Sequence, residues 1–385
     1  MSITTSRAVL ASLAAVLVLA APGWSQTFKV LYNFSGSPDG AGPMGVPLVS
    51  GGVLYGTTST GGAYGYGSVF SLDLSTAHET VLYSFDGITS GAYPQAGLIQ
   101  DTAGNLYGTT LGISGYGTVF EISASGAASV LHSFAGPDGL SPYGKLVGDG
   151  AGNLYGTTSA GGAGSYGTVF KLDKAGDLTT LKDFTGEYDG GSPFDGLVPY
   201  QGLLYGTSNG AYIPGGPPYL GTVFAVSPNK GSVTLYHFGE EGKGTLPVAG
   251  VVPYGDGGNF YGTTLYTQEL FGGDGVVYQL NIRVPEYTVL HTFAGGPADG
   301  SGPTGGVVVD AAGNLYGTTD SGGTYGAGIV YQITSNRNET ILHSFSGADG
   351  QDPWAGLTMD AQGILYGVTN SGGTYGAGVV FAIKP

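Results

Sequence analysis

The chain has 385 residues, no cysteine, and 11 basic against 27 acidic residues, for a formal net charge of −16. Disulfides, thiolate metal sites and lipid attachment through cysteine are excluded, and so few lysines and arginines argue against nucleic acid or any other polyanion as a partner. Hydrophobic residues make up 41% of the chain, enough for a sizeable core, and the 76 glycines recur in register between β-branched and aromatic runs, which is turn chemistry rather than disorder.

Residues 1–25 read as a signal peptide: Arg7, an apolar run from Ala8 to Ala21, then Gly23-Trp24-Ser25, whose small residues suit a peptidase site. That run is shorter than the ~20 residues of a spanning helix, so no membrane span is expected after removal of the leader. Loss of Arg7 takes the net charge from −16 to −17. The remaining residues, 26–385, are expected to form one domain that is secreted, periplasmic or held in the cell envelope.

From Leu54-Tyr55-Gly56-Thr57-Thr58 onward one motif recurs, with tyrosines at Tyr55, Tyr107, Tyr155, Tyr205, Tyr261, Tyr316 and Tyr366, spaced 48 to 56 residues apart. A repeat of about 50 residues with strand-like composition predicts an all-β, seven-bladed β-propeller. Each repeat holds four apolar runs, here called A to D. In the third they are Lys145-Leu146-Val147, Asn153 to Thr158, Gly167 to Leu172 and Thr179 to Phe184, each bounded by Gly, Asp, Asn or Pro. The chain ends on a C run, Gly378 to Ile383, while an unmatched D run, Lys29 to Phe34, lies near the other end. The N-terminal run is therefore expected to complete the last blade, which removes an open sheet edge. In an alternating meander the long glycine-rich B-to-C connections, reaching Asn209 to Leu220 in the fourth repeat, share a face with the D-to-A loops, and that face is expected to carry function.

The order Leu-Tyr-Gly-Thr-Thr, a glycine-rich gap, Gly-Thr-Val-Phe, a strand like Leu342-His343-Ser344-Phe345 and then Asp-Gly-x-x-Pro resembles the GloVer tandem repeat of exported bacterial proteins, over essentially all of residues 28 to 385. The resemblance implies a repeat architecture and carries no catalytic residues. Its members often end in a surface anchor, which is not expected of a chain stopping at Pro385. The order is also similar to that of NHL repeats, which implies that A is innermost and D outermost.

Three features suggest chemistry and have simpler readings. Acidic residues at Asp39, Asp86, Asp138, Asp189, Glu241, Asp299 and Asp349 precede glycine in the D-to-A loops, but calcium-loop spacing is missing and Asp-Gly suits a turn. His132, His291 and His343 share one D-strand position with Tyr32, Tyr83 and Tyr236, which suits packing. Gly206-Thr207-Ser208-Asn209-Gly210 satisfies a nucleophile-elbow string but lies in a strand-to-loop context, where an elbow requires strand-to-helix. No metal or cofactor is expected.

Divergence between repeats is more informative, because the fold does not dictate it. The residue after the loop proline is Met44, Gln95, Tyr143, Phe194, Val248, Thr304 or Trp354, close to the mouth of the central channel, with charges nearby at Lys145 and Asp195. Aromatic faces there suit sugar or peptide. A second candidate patch combines Tyr212, Pro214, Pro217, Pro218 and Tyr219 with Gln268, Glu269, Phe271 and Asp274, and with Glu240, Glu241 and Lys243 between. Glu241 and Glu269 are its candidate carboxylate pair for glycoside chemistry. The leading expectation is a monomeric, non-enzymatic propeller that contacts extracellular carbohydrate or protein. A polysaccharide hydrolase or lyase with its site at the channel mouth, and a structural envelope protein, remain open.

Overall fold

The computed structural model describes residues 27–210, 220–229, 231–239, 242–267 and 272–385, so the leader and the centre of the patch around Tyr212 and Glu269 lie outside the described residues. The described chain forms seven four-stranded antiparallel sheets arranged as a propeller, with no helix among its elements. In the third blade strands A to D are Val147–Gly148, Leu154–Thr158, Thr168–Leu172 and Leu178–Asp183, paired in that order. Strands A of neighbouring blades approach each other, as Val198–Tyr200 does Val252–Tyr254 and Leu48–Ser50 does Thr358–Met359, which puts A at the axis.

The expected A run began at Lys145, whereas the ladder begins at Val147. Close packing at the axis explains the difference. A Cβ at Gly196 would overlap the Lys145 carbonyl, and one at Gly97 the Val46 carbonyl, so residues just before strand A face the neighbouring blade rather than their own.

The seventh blade contains Thr358–Met359, Leu365–Thr369 and Val379–Lys384, and its fourth strand is Thr27–Asn33. Thr27 lies opposite Lys384 and Asn33 opposite Val379, with a register shift between Val30 and Tyr32. Phe28 stacks on His343 with ring centroids 3.6 Å apart and meets Phe381 at 5.6 Å. Phe34 is fully buried against Phe70 of the first blade, at 4.9 Å.

Each residue of the repeated pentapeptide has its own task. Leucine enters the core, as Leu54 and Leu365 do at zero exposure. Tyrosine donates to the aspartate of the A-to-B turn, as in Tyr107–Asp101, Tyr155–Asp149, Tyr316–Asp310 and Tyr366–Asp360, each 3.0 Å. Glycine leaves room for the aromatic ring of strand C, Phe70 over Gly56 and Tyr331 over Gly317. The first threonine crosses to the next blade: Thr57 Oγ1 donates to the Ala96 carbonyl at 2.9 Å, Thr207 to Ala249 at 2.8 Å and Thr318 to Ala355 at 2.8 Å. The second stays within its blade, Thr158 against Thr168 at 2.9 Å. The variant copy fits the same scheme, since Ser208 is fully buried against Thr222 at 2.8 Å. A side chain so enclosed has no path to a substrate, and the elbow string is a strand B.

The D-to-A aspartates and the D-strand position, read separately from sequence, meet in space. His132 pairs with Asp138 and His343 with Asp349 at 2.8 Å, Lys182 with Asp189 at 2.8 Å, and Tyr32 donates to Asp39 at 2.9 Å. The aspartates also take backbone N–H groups of their own loops, as Asp138 does from Ala135 and Asp349 from Ser346, both at 2.8 Å. Each pair therefore pins the outer strand to the connection that follows it.

Glu79, at the start of strand Glu79–Ser84, presses on the Tyr32–Asp39 pair, and its Oε1 is buried without a hydrogen-bond partner among the described residues. Desolvation, reinforced by the Asp39 charge, pushes its carboxyl up to about 7. A carboxyl raised in the folded state contributes stability that is complete below its unfolded value near 4.5 and is lost as pH rises through about 7. Glu79→Gln should therefore gain thermal stability relative to wild type between pH 5 and pH 8. Paired melting curves across that range test this, and a difference independent of pH would exclude the assignment.

Candidate functional site

The D-to-A loops bring the divergent position of all seven blades to one axial cavity of about 750 Å³. Met44, Gln95, Tyr143 and Phe194 line it from the first four blades. Val248, Thr304 and Trp354 line it from the other three. A cavity of this size lies within the usual range for small-ligand pockets, ~300–1,000 Å³.

Its wall is uneven. Tyr143 of the third blade and Phe194 of the fourth form a tilted pair with ring centroids 5.0 Å apart. The seventh blade lies across the ring from those two and adds Trp354, 40% exposed, to the lining. Thr304 is buried instead, and its hydroxyl donates to the Trp354 carbonyl at 3.1 Å, so it supports the rim rather than presenting a surface. Gln95 contributes a half-buried amide from the second blade.

Lys145 and Asp195 sit in the sector of the aromatic pair. Desolvation lowers the Lys145 ammonium below the usual lysine range, and the nearby Asp195 charge offsets this in part. The residue is half-buried in the cavity wall and keeps some exposed surface. Among the described residues no hydrogen bond or ion pair reaches it. Asp195 is committed elsewhere: Oδ1 accepts the N–H of Gly196 and Oδ2 that of Gly250, both at 2.6 Å.

Asn209 was not singled out from the sequence as a site residue. It lines the same cavity, and its Oδ1 is buried without a hydrogen-bond partner among the described residues. The signal lay inside the elbow string, one residue beyond the serine that drew attention. Tyr212, Tyr219, Glu241, Glu269 and Phe271 lie outside the described residues. Among the described residues no cluster of three or more histidine, aspartate or glutamate side chains is arranged to hold a metal.

Three overlapping stretches, residues 17–215, 111–270 and 255–385, match the Gloeobacter/Verrucomicrobia repeat. The chain belongs to this repeat family. No curated protein sequence matches it. Among solved structures, oligogalacturonate lyase from Vibrio parahaemolyticus is 12% identical, with 93% of this chain and 97% of that one covered and a TM-score of 0.58. An oligogalacturonate lyase in complex with manganese is 13% identical, with 93% and 96% covered and a TM-score of 0.57. This chain spans 58% of the length of TolB from Acinetobacter baumannii, with 71% of its own length covered, 14% identity and a TM-score of 0.41. At such identities the likeness of the Gloeobacter/Verrucomicrobia repeat protein to the lyases is one of fold.

Proposed function

We propose that this chain is an exported, ligand-binding propeller that takes carbohydrate or protein at the axial mouth of its loop-rich face. One observation carries the reading: a position that varies between otherwise similar blades lines one cavity, and three of its occupants are Tyr143, Phe194 and Trp354. Residues fixed by the fold repeat from blade to blade; those that differ around a common cavity are free to answer to a ligand. Aromatic side chains bring large contact area with few rotors to lose, which suits the flat faces of sugar rings. The leader-like residues 1–25 support a place outside the cytoplasm.

A glycan-array screen of the mature protein tests the reading. Replacing Tyr143, Phe194 and Trp354 together by alanine should weaken binding of any hit at least tenfold, since loss of a single such anchor commonly costs more than ~1 kcal/mol. Binding unchanged in a triple variant with a native circular dichroism spectrum would move the site elsewhere. A second reading, a polysaccharide hydrolase or lyase at the same mouth, draws on Lys145, whose desolvated amine beside Asp195 is of the kind used in proton transfer. A product assay on each hit separates the two.

A further inference from the structure

We propose that the axial cavity selects a carboxylate-bearing saccharide, a hexuronate or a short chain ending in one, by seating its carboxylate on Lys145. This deepens the binding reading above and rests on it.

Among the described residues lining the cavity, Lys145 is the one cation, and no hydrogen bond or ion pair occupies it. Lys182, by contrast, has Asp189 at 2.8 Å. The carboxylate nearest in role, Asp195, spends its oxygens on the N–H groups of Gly196 and Gly250 and shapes the rim. An ammonium that is partly desolvated and has no direct ion pair, only the nearby charge of Asp195, has lost hydration that an arriving carboxylate replaces with a charge-assisted hydrogen bond. The chain as a whole carries −16, so its overall field repels anions and does not gather them. Selection of an acid must then be local, and Lys145 is where the wall provides for it.

Two further features favour sugar over peptide. The Tyr143–Phe194 pair lines the same cavity as Lys145, and its ring faces suit a pyranose whose carboxylate points at Lys145. Asn209 is part of the cavity lining and its buried Oδ1 lacks a donor among the described residues; a small rotation of the amide would present it to saccharide hydroxyls, which supply donors densely. The repulsive side of the selection is equally plain: a neutral sugar would leave the ammonium desolvated and unpaired.

The test is calorimetric titration of the mature protein with trisaccharides of glucuronate, galacturonate and mannuronate, their methyl esters, and neutral hexose trisaccharides of matching linkage. At least one acid should bind ten times more tightly than its own ester, a comparison that needs no variant. Lys145→Met, which keeps the aliphatic stem, should abolish that preference while leaving weak binding of the ester in place. Lys145→Arg should retain a preference for the acid. Equal binding of acid and ester, or an acid preference that survives Lys145→Met in folded protein, overturns the assignment. Tighter binding of a short aromatic peptide with a free C-terminus than of any uronate, lost on amidation, overturns the saccharide half. If neutral sugars bind best and the aromatic triple variant abolishes it, only the charge selection fails. If the array and all these probes give nothing, the binding reading itself falls with it.

Discussion

Deleting residues 26–36 should lower the melting temperature by ~10 °C and make the protein prone to self-association. The strand removed, Thr27–Asn33, forms the whole outer edge of the seventh blade and takes with it the Phe28 stack on His343 and the fully buried Phe34. Burying large apolar side chains contributes roughly 1.5–3 kcal/mol each when complete, and unfolding entropy that scales with chain length converts a loss of several kcal/mol into about that temperature shift. Val379–Lys384 would be left as an exposed edge ready to pair with another chain. A synthetic peptide of residues 27–36 should restore much of the loss by adding the strand back. An unchanged melting temperature would rule out a role for this strand in holding the ring closed.

Gly196→Ala should cost about 3 kcal/mol, at the upper end for an inserted methyl group. The reason is the neighbour it would strike. Its Cβ would overlap the Lys145 backbone carbonyl, which cannot swing aside as a side-chain end can, so the third and fourth blades would have to part at the axis. The same change at Gly363, where nothing lies within 4 Å of the added atom but φ is +76°, should cost roughly 1 kcal/mol from the backbone alone. Chemical denaturation of both variants gives the contrast, and similar losses would show that axial crowding is not what excludes a side chain at Gly196.

The repeat, its strand content and the divergent position were legible because each follows from spacing along the chain. Tyr143, Phe194 and Trp354 could be placed at one mouth because each follows a proline at the same phase of the repeat. Contacts between repeats were not legible. That Thr57 reaches the Ala96 carbonyl of the next blade, or that Gly196 meets Lys145, depends on how far adjacent blades are rotated about the axis, which the sequence of one repeat does not encode. The same limit hid the environment of Lys145, read only as a charge where other copies are small. His132 and Asp138 lie only six residues apart, but their pairing depends on the turn between strand and loop, which residue types alone do not set. Asn209 carries no signal of its own in the sequence, since the string that contains it points to its neighbour Ser208.

The ladder joining Thr27 to Lys384 also sets an order of events in time. The first strand of the ring to leave the ribosome is the one whose partner is made last. Local hairpins of the first six blades can form as they appear, since their strands are near neighbours in sequence, but the outer strand of the seventh must wait for nearly the whole chain. Until Val379–Lys384 is in place, Phe28 and Val30 lack the strand they pair with in the closed ring. The outer edge of the ring is thus completed by a late contact, and a truncated chain lacking Val379–Lys384 would be left with two unpaired strands' worth of edge.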